Sequence, residues 1–260
     1  MLSRWIQDPL TLGLAQAGVA ASLALGVAMA ARRRGIHLMS ETAVALLRGL
    51  LQIIAVGLVL ATLIRGPRWT GPILLAAMVA AAAHTSIERL KGVPDAFRVS
   101  LWSLLLGSGT VIAAMVLAGV IETSVSSLIP VGSMIIANAM NGIGLALERF
   151  RSDVVAHAGE IEAALALGAA PEVTVAPYAR DSVAASLIPS VNNLRSLGIV
   201  WIPGLMAGMV LTGANPLGAS IYQFVVLATI LASSGLTALV GTRLITRRVF
   251  SAAEQLTLRK

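Results

Sequence analysis

Seven long apolar runs constrain this chain more than any other feature. They fall at about 10–31, 42–64, 71–88, 99–121, 126–147, 183–213 and 217–244. Each is near the ~20 residues a helix needs to cross a bilayer. Lipid offers no partner to a bare backbone N–H or C=O, so runs of this kind are helical. The fold class expected is therefore an all-α polytopic membrane protein with about seven transmembrane helices. No low-complexity linker or internal repeat divides the chain, so a single transmembrane domain over 1–260 is expected. The first run is too long for a signal-peptide core, and its basic cluster, Arg32, Arg33 and Arg34, follows it rather than precedes it.

Charge sets the orientation. Only 12% of residues are charged, and the net charge is +7. With the N-terminus outside, the inner segments carry Arg32, Arg33, Arg34, Arg89, Lys91, Arg98, Arg149, Arg151, Arg180, Arg195, Arg243, Arg247, Arg248, Arg259 and Lys260. The outer side carries Arg4, Arg65 and Arg68, and Arg48 lies within the second run. Lys and Arg concentrate on the cytoplasmic side, so this bias of 15 to 3 places the 148–182 loop and the C-terminus in the cytoplasm. The location implied is multi-pass in the cell's inner (plasma) membrane. Basic residues spread between apolar runs, without a patch of interleaved aromatics, argue against nucleic acid as a partner. Cysteine is absent, which removes disulfides and thiolate chemistry.

Polar groups inside the membrane are costly and often functional. Arg48 and Gln52 lie four apart in the second run, where Arg48 can reach the interface or pair with a carboxylate such as Glu88. His84 and Glu88 make a similar pair at the inner end of the third run and would need two further ligands to hold a metal. Asn138 and Asn141 lie three apart in the fifth run, after Pro130 and Gly132. They either bind neighbouring helices or line a pathway. Met134, Met140, Met206 and Met209 cluster in the runs on either side of the loop, as flexible packing or as soft thioether ligands. Gly204 and Gly208, with Thr212 beyond, form a small-residue stripe suited to close helix approach. Pro189 and Pro203 should kink or break the sixth run. Residues 203–213 then either continue that run or form a short re-entrant piece.

The loop at 148–182 changes character. Val154, Val155, Ala158, Ile161, Leu165 and Leu167 recur at helical spacing among charged residues. Gly168, Ala169, Ala170 and Pro171 then supply a glycine stop and a proline. A second short segment, about 172–182, leads back to the membrane. Glu162, Ala163 and Ala164, followed after three residues by Gly168, fit the Glu-Ala-Ala-x-x-x-Gly core of the coupling loop in ABC importer permeases. The Ile-x-Leu-Pro element that normally follows about ten residues on is missing there. Leu187-Ile188-Pro189 is the nearest match and lies farther along.

Taken together, four ordered stretches resemble the iron-export ABC permease family, which includes bacterial Fet-type permeases and plant aluminium-tolerance permeases. They are 129–140 (with Pro130, Asn138 and Met140), 162–169, 203–209 (with Pro203, Gly204, Met206, Gly208 and Met209) and 213–216, with Gln223 after them. The first four runs match that family in hydropathy and length alone. The resemblance implies a membrane permease subunit, expected to export iron or another metal. It implies a homodimer working with a separate ABC ATPase through Glu160, Glu162, Ala163, Ala164, Gly168 and Ala169. Pro130, Asn138, Met140, Asn141, Pro203, Gly204, Met206, Gly208, Met209 and Gln223 are then pathway or hinge candidates. This sequence has no Gly-x-x-x-x-Gly-Lys-Ser/Thr phosphate loop, so no cofactor is expected on it, and ATP with Mg belongs on the partner. Two other readings remain: an ion-coupled secondary transporter or channel, and ABC export of a non-metal solute such as a nucleotide sugar. A secondary transporter needs titratable groups at mid-membrane, and no Asp lies within a run. An intramembrane protease would need His-Glu-x-x-His or paired membrane Asp, and neither is present.

Overall fold

The computed structural model describes residues 8–63, 66, 67, 69–89, 95–251 and 255–258, except the side chains at 9, 88 and 89. Arg4, Arg65, Arg68, Lys91, Arg259 and Lys260 therefore lie outside the described residues, as do the Glu88 and Arg89 side chains. Among the described residues the chain is helical: α1 Pro9–Arg32, α2 Met39–Leu63, α3 Thr70–Arg89, α4 Ala96–Leu104, a π-turn Leu105–Gly109, α5 Thr110–Leu117, α6 Val125–Ala156, α7 Ala158–Ala166, α8 Pro171–Ser196, α9 Gly204–Leu211 and α10 Pro216–Thr246. The only extended pairings among them are two isolated bridges. Helices α1, α2, α3, α6 and α10 and the run Ala96–Leu117 are long and apolar enough to cross a membrane. The all-α, multi-pass expectation therefore holds, with six such crossings and α8 beside them.

The chain divides into two compact units, Met1–Gly66 and Pro67–Lys260. The first is the hairpin of α1 and α2. Asp8 caps α1, its carboxylate accepting from the Thr11 amide at 3.1 Å. Helix α2 buries no residue, and Arg48 and Gln52 are exposed on it.

The second unit is built around α10, which packs against α4, the π-turn, α6, α8 and α9. Small residues set how closely it can approach. At Gly107, in the π-turn, an added Cβ would lie 2.6 Å from the Cα of Thr237. At Gly241 it would lie 3.0 Å from Ile143 Cγ1 and 3.1 Å from Ser103 Oγ, and at Gly142 3.4 Å from Ser234 Cβ. The π-turn itself forms where Ser108 and Thr110 donate their hydroxyls to the carbonyls of Leu104 and Leu106, competing with the regular helical ladder. Two apolar clusters fill the rest. One, including Leu75, Leu104, Ile121, Leu128, Ile135 and Ile230, lies toward the outer end of the unit. The other, including Val99, Ile143, Leu147, Phe150, Val154, Ile161, Val175 and Ile245, lies toward the inner end. Leu256 and Leu258 fold back onto the inner cluster, and Arg248 pairs with Asp95 beside it.

Three expected boundaries are corrected. Helix α6 does not stop at 147 but continues to Ala156, giving 32 residues, or about 48 Å. Phe150 and Val154, four apart, keep its inner end on the core, while Arg149 pairs with Asp153 at 2.9 Å on the wet side. The amphipathic segment at 154–167 is not one helix, because His157 (φ −108°, ψ 21°) separates α6 from α7. The sixth apolar run is not one helix either. Its first half is the end of α8, which passes through both Pro177 and Pro189 unbroken. The chain leaves the helix at 197–203 instead, where Gly198 takes φ +75° and its amide donates to the Trp201 carbonyl at 3.1 Å. Its second half is the separate α9, whose eight residues rise only about 12 Å.

Because α8 is continuous, Arg195 moves to the other side. It lies 15 residues beyond Arg180, about 22 Å along the axis. Its neighbours Leu194 and Leu197 pack on the outer cluster, whereas Tyr178 and Ala179 pack on the inner one. The cytoplasmic bias becomes 14 to 4, which still fixes the orientation.

Gly107→Ala should destabilise the protein by about 1–3 kcal/mol, since overpacking must separate two backbones rather than bend one side chain. Gly18→Ala, with nothing within 4 Å of the added carbon, should be neutral. Thermal unfolding in detergent checks both. Equal midpoints for wild type and Gly107→Ala would show that the contact is loose.

Candidate functional site

The stretch 160–216 builds two places of interest, one at each end of α8. At the inner end, α7 terminates in a Schellman motif. The Gly168 amide donates to the Leu165 carbonyl at 2.9 Å, and the Ala169 amide to the Ala164 carbonyl at 3.0 Å. Gly168 has φ +86°, which a side chain would strain. Ala170 then caps α8 and Pro171 is its first residue, pre-set to helical φ. Four residues thus join two helices with almost no slack. Ile161 is the buried anchor of α7, and His157 stacks on Tyr178 of α8 with ring centres 5.0 Å apart. The Tyr178 hydroxyl titrates above its usual 10.0, first through burial and then through the Glu160 and Asp153 carboxylates.

The residues expected to couple are found together on this element. Glu160, Glu162, Ala163 and Gly168 are exposed, and Ala164 and Ala169 are half-buried. Leu167 faces out, 89% exposed, and not inward as its helical spacing suggested, because the Schellman turn begins there. Val173, 66% exposed, lies on the first turn of α8. The tip of the hairpin is therefore a small, uncharged apolar surface with an acidic flank.

At the outer end, α6, α9 and α10 meet. Helix α9 leaves its first amides without intrahelical acceptors. Gln223, 1% exposed on α10, supplies one: its Oε1 accepts from the Met206 amide at 3.2 Å. Met206 Sδ in turn accepts from the Ser220 hydroxyl at 3.7 Å. The Gln223 Nε2 is buried without a partner among the described residues. A second Schellman turn at Gly213, φ +94°, ends α9, and the Asn215 side chain caps α10 by accepting from the Leu217 and Gly218 amides. A cleft of about 440 Å³ opens beside this hairpin, lined by Glu122, Ser126, Ser127, Pro130, Leu205, Met209 and Tyr222. The Glu122 carboxylate accepts from the Ser127 hydroxyl at 3.3 Å.

The structure thus gathers Pro130, Met206, Met209 and Gln223, with Pro203 as the residue preceding α9 rather than a kink within a helix. Asn138 and Met140 do not line the cleft. The Asn138 amide donates to the Met134 carbonyl of its own helix, at 2.8 Å, and Met134 and Met140 pack on the outer cluster. Asn141 is exposed on α6. Gly204 and Gly208 have nothing within 4 Å, so among the described residues of the second unit no helix packs on their stripe. His84 is exposed. Among the described residues no three His, Asp or Glu side chains converge as a metal set. Glu122 and Tyr222 were not anticipated. One signal in the sequence does find Glu122: of the 12 acidic residues, charge bias puts only Asp8 and Glu122 on the outer side.

Comparison with known proteins places the chain in one family. The model of the uncharacterised protein family UPF0014 matches residues 14–250. The chain belongs to that family. It is 32% identical over 240 residues to the UPF0014 membrane protein STAR2 of Oryza sativa, covering 91% of this chain and 83% of that one. It is 31% identical over 210 residues to the probable iron export permease protein FetB of Escherichia coli, covering 80% and 81%. It is 30% identical over 211 residues to the protein ALUMINUM SENSITIVE 3 of Arabidopsis thaliana, covering 80% and 77%. No solved structure matches. The UPF0014 chain is thus a multi-pass membrane protein of a family that includes a named permease, as the sequence resemblance implied.

Gln223→Leu would keep the volume but leave the Met206 amide without its acceptor. A buried donor stripped of its partner costs about 1–3 kcal/mol. The variant should unfold earlier, and amide exchange should rise in α9 before it rises in α6. Unchanged exchange in α9 would show that Gln223 does not hold it.

Proposed function

We propose that this chain is the permease subunit of an ATP-driven exporter of iron or another metal, acting as a homodimer with a separate ABC ATPase. The observation that carries the reading is the taut joint between α7 and α8. A short exposed helix, fixed by a Schellman stop and a proline start, continues as one 26-residue helix through the unit to the break before α9. Force applied at Glu162, Ala163 or Leu167 would reach the α9 hairpin and the outer cleft without being absorbed by a flexible linker. The apolar tip at Leu167 and Val173 suits a groove on a soluble partner, where such side chains would be covered.

ATP and Mg would bind that partner, since this sequence has no phosphate loop of its own. Two ATPase subunits ask for two permeases. The open Gly204 and Gly208 face and the unburied surface of α2 offer area to a second copy. The cargo part of the proposal follows the Escherichia coli relative's name. Glu122, with the Ser126, Ser127 and Tyr222 oxygens nearby, is a hard-donor set suited to a cation near release.

Inverted membrane vesicles holding the permease and its proposed ABC ATPase partner should accumulate Fe²⁺ when ATP is added. Accumulation without ATP, or none with ATP, would overturn the proposal. Gly168→Pro cannot adopt φ +86° and deletes the amide bonded to Leu165, and Glu162→Lys reverses the acidic flank. Each should reduce ATP-dependent transport at least about tenfold, while the protein still inserts and unfolds cooperatively. Normal transport by both would exclude α7 as the coupling element.

A further inference from the structure

We infer that the cleft between α8 and the C-terminal half of α10 binds an anionic glycerophospholipid of the cytoplasmic leaflet. The cleft is an open groove of about 740 Å³, within the ~300–1,000 Å³ typical of small-molecule sites. Its character changes along the membrane normal. On α10, Leu239, Arg243 and Arg247 follow at intervals of four and share one face. On α8, Val183, Arg180 and Glu172 line the opposite wall in the same order. The apolar members lie deeper and the basic members lie at the water side.

Three arginines thus face one carboxylate. Glu172 meets Arg247 at 3.6 Å, in an exposed pair that holds little. Among the described residues no acid pairs with Arg180 or Arg243. Guanidinium groups present fixed forks of donors that match phosphate oxygens. A phosphate seated between Arg180 and Arg243 would complete them, and the acyl chains would lie along Val183 and Leu239. That two-part match selects an amphiphile with an anionic head, because an inorganic anion would leave the apolar wall bare. Basic pockets between helices on the cytoplasmic side suit such lipids in general. The inference does not depend on ATP coupling or on cargo. It concerns a face of α8 away from the outer cleft.

Native mass spectrometry of the full chain in detergent, with added dioleoyl phosphatidylglycerol or dioleoyl phosphatidylcholine, tests it. Phosphatidylglycerol should be retained on the order of tenfold better. Arg180→Gln combined with Arg243→Gln should remove that preference, whereas Arg32→Gln combined with Arg33→Gln, an equal loss of charge elsewhere, should keep it. Equal retention of the two lipids, or a preference that survives the Arg180/Arg243 change, overturns the inference. So does full displacement of phosphatidylglycerol by millimolar inorganic phosphate, which would mark a free-phosphate site. A photoreactive phosphatidylglycerol supplies a readout on the unaltered chain. It should label α8 and α10 peptides around Arg180 and Arg243, and labelling confined to other helices would also overturn the inference.

Discussion

The second unit depends on how closely α10 can cross its neighbours. No hydrophobic force drives helices together in lipid, so their association rests on van der Waals contact over matched surfaces. Gly107, Gly142 and Gly241 permit that contact at three points on two neighbours, each against a different part of α10 or its partner wall. Ser100, Ser233, Ser234 and Thr237 occupy the same seams, with buried hydroxyls that have no acceptor among the described residues. Each such hydroxyl costs free energy where it stands. Their contribution is therefore their size. A Val or Leu at any of these positions would push α10 away from the π-turn or from α6.

That close crossing gives α8 something firm to bear on. Helix α8 packs along both α6 and α10, and α10 carries Gln223 and the cap of α9 at its far end. The inner joint at Gly168 and the outer hairpin at Gly213 are two Schellman turns separated by α8, a short irregular link at 197–203 and the eight-residue α9. Motion of the inner joint must either slide α8 along the tight α10 seam or bend the chain at 197–203. The second route strains the few hydrogen bonds of that link, among them Gly198–Trp201, Val200–Ser196 and Trp201–Ser196, and leaves the packed α8–α10 seam intact.

Much of this architecture was legible in the sequence, for physical reasons that also explain the rest. Crossings were legible because hydropathy over twenty residues averages out local detail. The Gly168 stop was legible because a glycine followed by Ala169, Ala170 and Pro171 satisfies both the end of one helix and the start of the next. Helix α8 was not. Pro189 suggested a break, and the helix's polar first half resembled a loop. In a packed membrane unit, neighbours hold a helix through a proline that would kink it alone. That error also placed Arg195 on the wrong side. The π-turn had no signature beyond two glycines and two hydroxyl residues within four positions. The outer cleft was half legible. Pro130 and Met209 of the cleft, and Met206 and Gln223 of the α9–α10 contact beside it, stood out by residue type, whereas Glu122 sits at a span boundary, where a carboxylate looks unremarkable until its partners are placed.

The opposite ends of α8 also differ chemically. Its inner end is bordered by Arg180, Arg243 and Arg247, and the outer cleft by Glu122. The arginines of the inner cleft repel a bare cation locally, and the Glu122 carboxylate attracts one in the outer cleft, although Arg195 at the outer end of α8 and Glu160 and Glu162 at its inner end soften the contrast. An exporter of cations would need the inner repulsion masked where cargo enters. An anionic headgroup between Arg180 and Arg243 would neutralise those two charges on the α8–α10 wall. The same headgroup would brace α8 against α10 just beyond the joint at Gly168. Lipid composition would then alter the stiffness of the joint between α8 and α10.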